Sequence, residues 1–142
     1  VDALLAERAD LTGRAAHLER RDLALLELLY ASGGRISEVL DLDLADFVGP
    51  GGGEDAHLRL VRFFGKGRKE RIVPVGETAI DRLRSYLALT RPQWVRPESP
   101  PAVFLSSRGR RLDRIQAWRL LKARAQLLGI AQRVHPHGLR HS

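Results

Sequence analysis

The chain of 142 residues contains no cysteine, which excludes a disulfide framework, a cysteine-ligated zinc finger and a thiol nucleophile together. It contains no methionine either, and it runs from Val1 to Ser142, just after a charged motif; the expectation is a fragment of a longer protein. No run of about 18 apolar residues occurs, so no segment reads as a membrane span. No signal-peptide pattern opens the chain. Lysine is scarce as well, with only Lys66, Lys69 and Lys122 among 24 basic residues. Acidic residues are scarce in one half only. Residues 1–71 carry 11 Lys and Arg against 13 Asp and Glu, whereas residues 72–142 carry 13 against 4.

What is present fits one globular domain. The length lies within the usual domain range, and 44% hydrophobic with 29% charged residues is far from a disordered composition. A net charge of +7, carried by one half, points to a polyanionic partner, most often nucleic acid. An arginine bias of this kind also follows from genome composition, so a basic structural protein stays open on charge alone.

The apolar spacing predicts a mainly α-helical chain with a small antiparallel β-sheet, an α+β class. Residues 20–32 read as a buried helix on Leu25, Leu26, Leu28 and Leu29, with Asp22 near its positive end. Residues 1–19 read as a linker or partial helix. Ser32-Gly33-Gly34 breaks the helix and a further helical turn covers 35–40, with Ile36, Val39 and Leu40 inward. After a glycine-rich loop at 49–53 the period changes to two. A strand from His57 to about Phe63, a turn at Gly65-Lys66-Gly67 and a strand over 71–75 form a hairpin with a basic tip. Helical spacing returns over 77–89, with Ile80, Leu83 and Leu87, and the prolines at 92, 97, 100 and 101 mark a rigid loop. Asp113 and Gln116 form a capping-box pattern. The helix they open has Ile115, Trp118, Leu121, Ala125 and Leu128 as its stripe and Gly129 as its stop. Pro136 begins another helix.

Three places carry chemistry. The tip Gly65-Lys66-Gly67-Arg68-Lys69, with Arg71 behind it, lacks the spacing of a nucleotide-cradling loop. It permits a sharp turn that delivers an ammonium to a phosphate, though a solvated turn has the same composition. In His135-Pro136-His137-Gly138-Leu139-Arg140-His141, a helix would put His137 and Arg140 on one face. Metal ligation by His135, His137 and His141 is disfavoured, because no carboxylate or thiolate lies nearby and a guanidinium opposes a cation. A His–Arg pair directed at one phosphate suits both groups better. Arg35 stands at a helix start, where the macrodipole disfavours a cation; a ligand, or a surface salt bridge to Glu38, accounts for it.

Taken in order, Tyr30-Ala31-Ser32-Gly33-Gly34-Arg35-Ile36-Ser37-Glu38, Gly65-Lys66-Gly67-Arg68-Lys69-Glu70-Arg71-Ile72-Val73-Pro74 and His137-Gly138-Leu139-Arg140-His141 resemble the catalytic domain of tyrosine recombinases, in the Xer-type and phage-integrase branch. Phe104-Leu105-Ser106-Ser107-Arg108-Gly109 and the helix with Trp118 fit that family too. The resemblance implies site-specific DNA strand exchange through a covalent 3′-phosphotyrosyl intermediate. It assigns catalytic roles to Arg35, Lys66, His137 and Arg140, a supporting role to Glu38, and DNA contacts to Arg68, Lys69 and Arg71. Two guanidiniums would neutralise the nonbridging oxygens where other enzymes use Mg²⁺, so no metal and no cofactor is expected. His137 would assist proton movement at the attacking oxygen or hydrogen-bond to a phosphate oxygen, and Lys66 would protonate the departing 5′ oxygen.

The chain departs from the family pattern in stated ways. Its only tyrosines, Tyr30 and Tyr86, read as lying on apolar helix faces and neither is in the nucleophile's place. By the resemblance, the family's later His/Trp and its nucleophilic tyrosine are expected downstream of the His137–Arg140 motif. Gly34 replaces the leucine common before the first arginine. Residues 1–19 would be a linker or the end of a DNA-clamping domain, and 20–142 a partial catalytic domain, inactive by itself without a nucleophile. Expected partners are double-stranded DNA and other recombinase protomers, in a tetrameric synapse for the parent, with no membrane and a cytoplasmic, nucleoid-associated location. The alternative is a non-catalytic DNA-binding module or degenerate integrase.

Overall fold

The computed structural model describes residues 12–127. Within them the chain is mainly helical with one two-stranded antiparallel sheet, the class the spacing predicts. The central helix α1, Gly13–Ser32, buries the run from Leu23 to Leu29. It ends where Gly33 takes a left-handed φ of 67° and donates its N–H to the Leu29 carbonyl at 3.2 Å, a conformation that suits glycine.

The helix starts seven residues before the expected residue 20, and its contacts explain why. His17 Nδ1 lies 2.9 Å from Thr90 Oγ1, and buried Glu19 pairs with buried Arg124. These partners are 73 and 105 residues away in sequence. Long-range packing of this kind extends a helix beyond its local apolar pattern.

A short helix α2, Ile36–Leu40, follows, with Ile36, Val39 and Leu40 buried. The hairpin strands are β1, Leu60–Phe64, and β2, Glu70–Pro74, paired from Phe64↔Glu70 to Leu60↔Pro74. Residues 56–58 form a tight helical turn instead of the strand expected from His57. Helix α3, Glu77–Ser85, passes into a wider π-helical turn at Tyr86–Thr90 and then α4, Arg91–Trp94. The expected proline loop thus begins as helix, because Pro92 sits in a first turn, where its missing N–H costs nothing.

Helix α5, Arg114–Leu127, is opened by the expected capping box. The Gln116 N–H donates to Asp113 Oδ1 at 2.7 Å and the Asp113 N–H to Gln116 Oε1 at 3.4 Å. Its buried stripe, however, is Ala117, Leu121, Arg124 and Ala125, with Ile115 63% exposed. The buried pairing of Arg124 with Glu19 turns this face inward, and Ile115 falls in the first turn outside it. Leu128, Gly129 and the helix expected from Pro136 lie outside the described residues.

The apolar run Val103-Phe104-Leu105 is fully buried and is fastened by Tyr86. The Tyr86 hydroxyl donates to the Val103 carbonyl at 2.8 Å and accepts from the Leu105 N–H at 2.9 Å. Its ring stacks on Phe104, with centroids 5.5 Å apart. Tyr30, expected on an apolar face, is instead 40% exposed at the end of α1.

Tyr86→Phe leaves two buried backbone groups without that hydroxyl. Urea denaturation should show a loss on the order of 1–3 kcal/mol, with the fold retained.

Candidate functional site

Arg35 stands at the joint between α1 and α2. Gly34 is buried there, and a Cβ on it would lie 3.1 Å from the Phe63 ring and 3.2 Å from Val39 Cγ2. Phe63 of the hairpin therefore fills the space a larger residue at 34 would take. Arg35 itself has extended backbone, φ −78° and ψ 153°, and its side chain is exposed. Its guanidinium makes no close ion pair with Glu38, whose ion-pair partner is Arg71, though its charge still favours the Glu38 carboxylate.

Glu38, one turn further on, is only 8% exposed. Its Oε1 accepts the Arg35 backbone N–H at 2.9 Å and Arg71 Nη2 at 2.9 Å, and Oε2 lies 3.4 Å from Arg71 Nε. The carboxylate thus links the start of α2 to strand β2. Burial alone would push its carboxyl up, but the Arg71 guanidinium and the Arg35 N–H outweigh that, so it sits below its ordinary value. Arg71 also lies over the Phe63 ring, 5.2 Å from its centroid. Arg71 was expected among the DNA contacts; its guanidinium is engaged with Glu38.

Lys66 is carried by the hairpin tip. The tip closes with the Gly65 N–H on the Lys69 carbonyl at 2.8 Å and the Arg68 N–H on the Gly65 carbonyl at 3.0 Å. Gly67 and Arg68 take positive φ of 71° and 59°. Only the first is cost-free for its residue. Lys66, Arg68 and Lys69 are all exposed, and Arg68 lies over the Phe64 ring at 5.4 Å.

Arg35, Lys66, Arg71, Glu38 and Asp41 line one cleft of about 460 Å³. Three cations face two carboxylates, and Glu38 is already compensated by Arg71. Neither the Arg35 guanidinium nor the Lys66 ammonium makes a side-chain hydrogen bond or close ion pair with another described residue. Two exposed cations on separate elements, neither in a close ion pair among the described residues, open to one cleft and form an anion-binding arrangement. Arg68 lines a neighbouring cleft of about 450 Å³ with Arg62 and Asp46.

His137 and Arg140 lie outside the described residues, as do His135 and His141. Among the described residues, no group of three His, Cys, Asp or Glu side chains gathers to hold a metal ion. Tyr86 is unsuited to attack a phosphate: its hydroxyl is committed to the backbone, and burial pushes its pKa up to about 12. Tyr30 does not line the cleft. Two contributors went unnoticed in the sequence. Arg71 as the partner of Glu38 was readable only from the hairpin's placement, and Arg111, which fastens the far end of α2, has no local signal at all.

Residues 2–142 match the phage integrase family. The chain is 46% identical over 126 residues to tyrosine recombinase XerD of Mycobacterium tuberculosis (strain ATCC 25618 / H37Rv), covering 88% of this chain and 38% of that protein. It is 40% identical over 140 residues to tyrosine recombinase XerD of Staphylococcus epidermidis (strain ATCC 35984), covering 97% of this chain and 43% of that protein. The chain therefore spans about two fifths of the length of these relatives. Its fold superposes on the crystal structure of XerA recombinase with a TM-score of 0.74 and 28% identity, covering 99% of this chain and 45% of that one.

The lowered carboxyl of Glu38 has a pH consequence. A group whose folded pKa lies below its unfolded one contributes stability that is complete above the ordinary value of 4.5. That contribution fades as pH falls through the lower folded value. Glu38→Gln should destabilise the chain in urea denaturation at pH 7 and cost clearly less at pH 3; an equal cost at both would contradict the linkage.

Proposed function

Because the chain belongs to the phage integrase family, we infer that it forms the phosphate-gripping core of a tyrosine-type, site-specific DNA recombinase. The observation that carries this reading is the pair Arg35 and Lys66, on different elements, exposed and lining one cleft. The names of the relatives support it.

In this reading a DNA phosphodiester enters the cleft and Arg35 donates to its nonbridging oxygens, with Arg140 acting from the opposite side. These guanidiniums offset charge as the phosphorus becomes five-coordinate, the step at which preorganised donors contribute most. His137 assists at the attacking oxygen. Lys66, on the hairpin tip, donates its proton to the departing 5′ oxygen, leaving a 3′-phosphotyrosyl ester and a free 5′ hydroxyl. The reverse attack by a 5′ hydroxyl on that ester rejoins the strand. The attacking phenol is supplied by neither Tyr30 nor Tyr86. Glu38 and Arg71 form part of the cleft wall, where their pairing holds α2 and the hairpin at a fixed separation and half-exposed Arg71 can also meet the DNA backbone.

Exposed Arg68 and Lys69 suit the DNA backbone beside the cleft. Residues 20–142 make up part of the catalytic domain, and the turns of α1 before residue 20 continue into it. Double-stranded DNA and further protomers are the partners, on a nucleoid rather than a membrane; no described helix is long and apolar enough to cross one.

Duplex binding by the chain should weaken with salt, log K falling by about 0.9 per phosphate neutralised for each tenfold rise in salt. In a protein that carries this chain together with its nucleophile, Arg35→Ala or Lys66→Ala should slow strand cleavage on the order of 10²–10³-fold. Duplex affinity should change only a few-fold, since many phosphate contacts share it. Cleavage at the parental rate in Arg35→Ala would overturn the mechanism. Duplex binding with no cleavage by the parental protein would favour a non-catalytic DNA-binding module.

A further inference from the structure

Helix α2 has five residues, too few to persist through its own hydrogen bonds. Both its ends are held from outside. At the start, Glu38 accepts the Arg35 N–H. At the end, the last carbonyls of a helix lack intrahelical partners and attract a cation. Arg111 supplies it: Nη1 donates to the Leu40 carbonyl at 3.0 Å and to the Leu42 carbonyl at 3.2 Å, while Nη2 donates to Asp43 Oδ1.

Arg111 is itself fixed. Its backbone bridges to Leu105, and its neighbour Leu112 donates an N–H to the Phe104 carbonyl at 3.0 Å. Those carbonyls belong to the fully buried run that Tyr86 fastens. The Leu42 carbonyl also accepts the Val103 N–H at 3.0 Å. A planar guanidinium with several fixed donors can satisfy three acceptors at once, which a lysine ammonium on a flexible stem cannot do in the same geometry.

Resting on the recombinase reading, we propose that Arg111 is a positioning residue, clamping the carbonyl end of α2 to the core so that Arg35 and Glu38 at the other end keep their places in the cleft. Arg111 does not line that cleft; it lines the neighbouring one with Glu38 and Asp41, and it reaches Arg35 through α2. At about 1.5 Å of rise per residue, the helix carries the constraint roughly 7 Å from Leu40 to Arg35. Displacements on the order of 1 Å at a reacting group are costly to rate, so a five-residue lever free at one end would be poorly suited to hold a catalytic guanidinium.

The test uses this chain, isotope-labelled, and two nuclear magnetic resonance readouts. One follows the Glu38 side-chain carboxyl carbon through an acid titration. The other follows the Arg35 Nε–H resonance as inorganic phosphate is added. In the parental chain Glu38 should titrate below 4.5 and Arg35 should respond to phosphate.

In Arg111→Ala, Glu38 should titrate closer to its ordinary value, and the phosphate affinity read at Arg35 should fall about three- to tenfold. Arg111→Lys should recover only part of both effects, and it replaces Arg111→Ala in both readouts if that variant does not fold. A folded Arg111→Ala chain with unchanged Glu38 titration and unchanged phosphate response would overturn the proposal and leave Arg111 with a stabilising role only. Full recovery by Arg111→Lys would overturn the need for a multidentate clamp. If Arg35 in the parental chain ignored phosphate, the recombinase reading would fall, while the Glu38 titration would still decide whether Arg111 positions α2.

Discussion

One buried carboxylate holds the site together. Glu38 accepts the backbone N–H that starts α2 and the guanidinium of Arg71 from β2, and so fixes two elements that share only limited packing. Without it, a five-residue helix and a hairpin would set their separation by side-chain packing alone. A carboxylate buried to this extent is costly unless it is paired and hydrogen-bonded. Here it has both kinds of partner, and the outcome is a carboxyl held below its usual range. The neutralisation matters for function as well. A charged Glu38 with no partner would draw Arg35 onto itself, whereas Arg71 takes the close ion pair and Arg35 acts on Glu38 only at longer range.

The second constraint is steric. Gly34 passes so close to Phe63 that a side chain at 34 would need the ring to move. The same ring receives Arg71 on its face. One aromatic residue of β1 thus occupies the space at the α1–α2 joint and flanks the partner of Glu38. Polar and apolar packing converge on the same few residues, so the cleft has a firm floor and an exposed rim. Lys66, at the tip of a two-stranded hairpin with a strained turn at Arg68, belongs to that rim.

Much of this was legible in the sequence wherever a local pattern dictates local structure. The period-two run around Phe63, the glycines flanking Lys66 and the Asp113–Gln116 capping box each produced the expected element, and the order of three motifs pointed to the family that residues 2–142 match. What local patterns could not supply was everything set by partners far along the chain. The early start of α1 depends on Thr90 and Arg124. The rotation of α5 turns Ile115 outward and Arg124 inward, against their hydropathy, because a buried arginine is acceptable when Glu19 meets it. Glu38 was read beside Arg35 from its spacing of three, yet its ion pair is with Arg71, 33 residues on. Arg111 sits in an arginine-rich loop that looks like solvated surface, and only its fold neighbours reveal a helix end.

In the proposed recombinase, Arg35 and Lys66 grip a single phosphate across the cleft. The most direct measurement is a crystal structure of the chain with a short duplex, read for the two side chains' distances to the DNA phosphates. The account predicts both the Arg35 guanidinium and the Lys66 ammonium within hydrogen-bonding reach of oxygens on the same phosphate, with Glu38 still bound to Arg71. Duplex DNA seated on another face, with Arg35 left in solvent or turned onto Glu38, would contradict it.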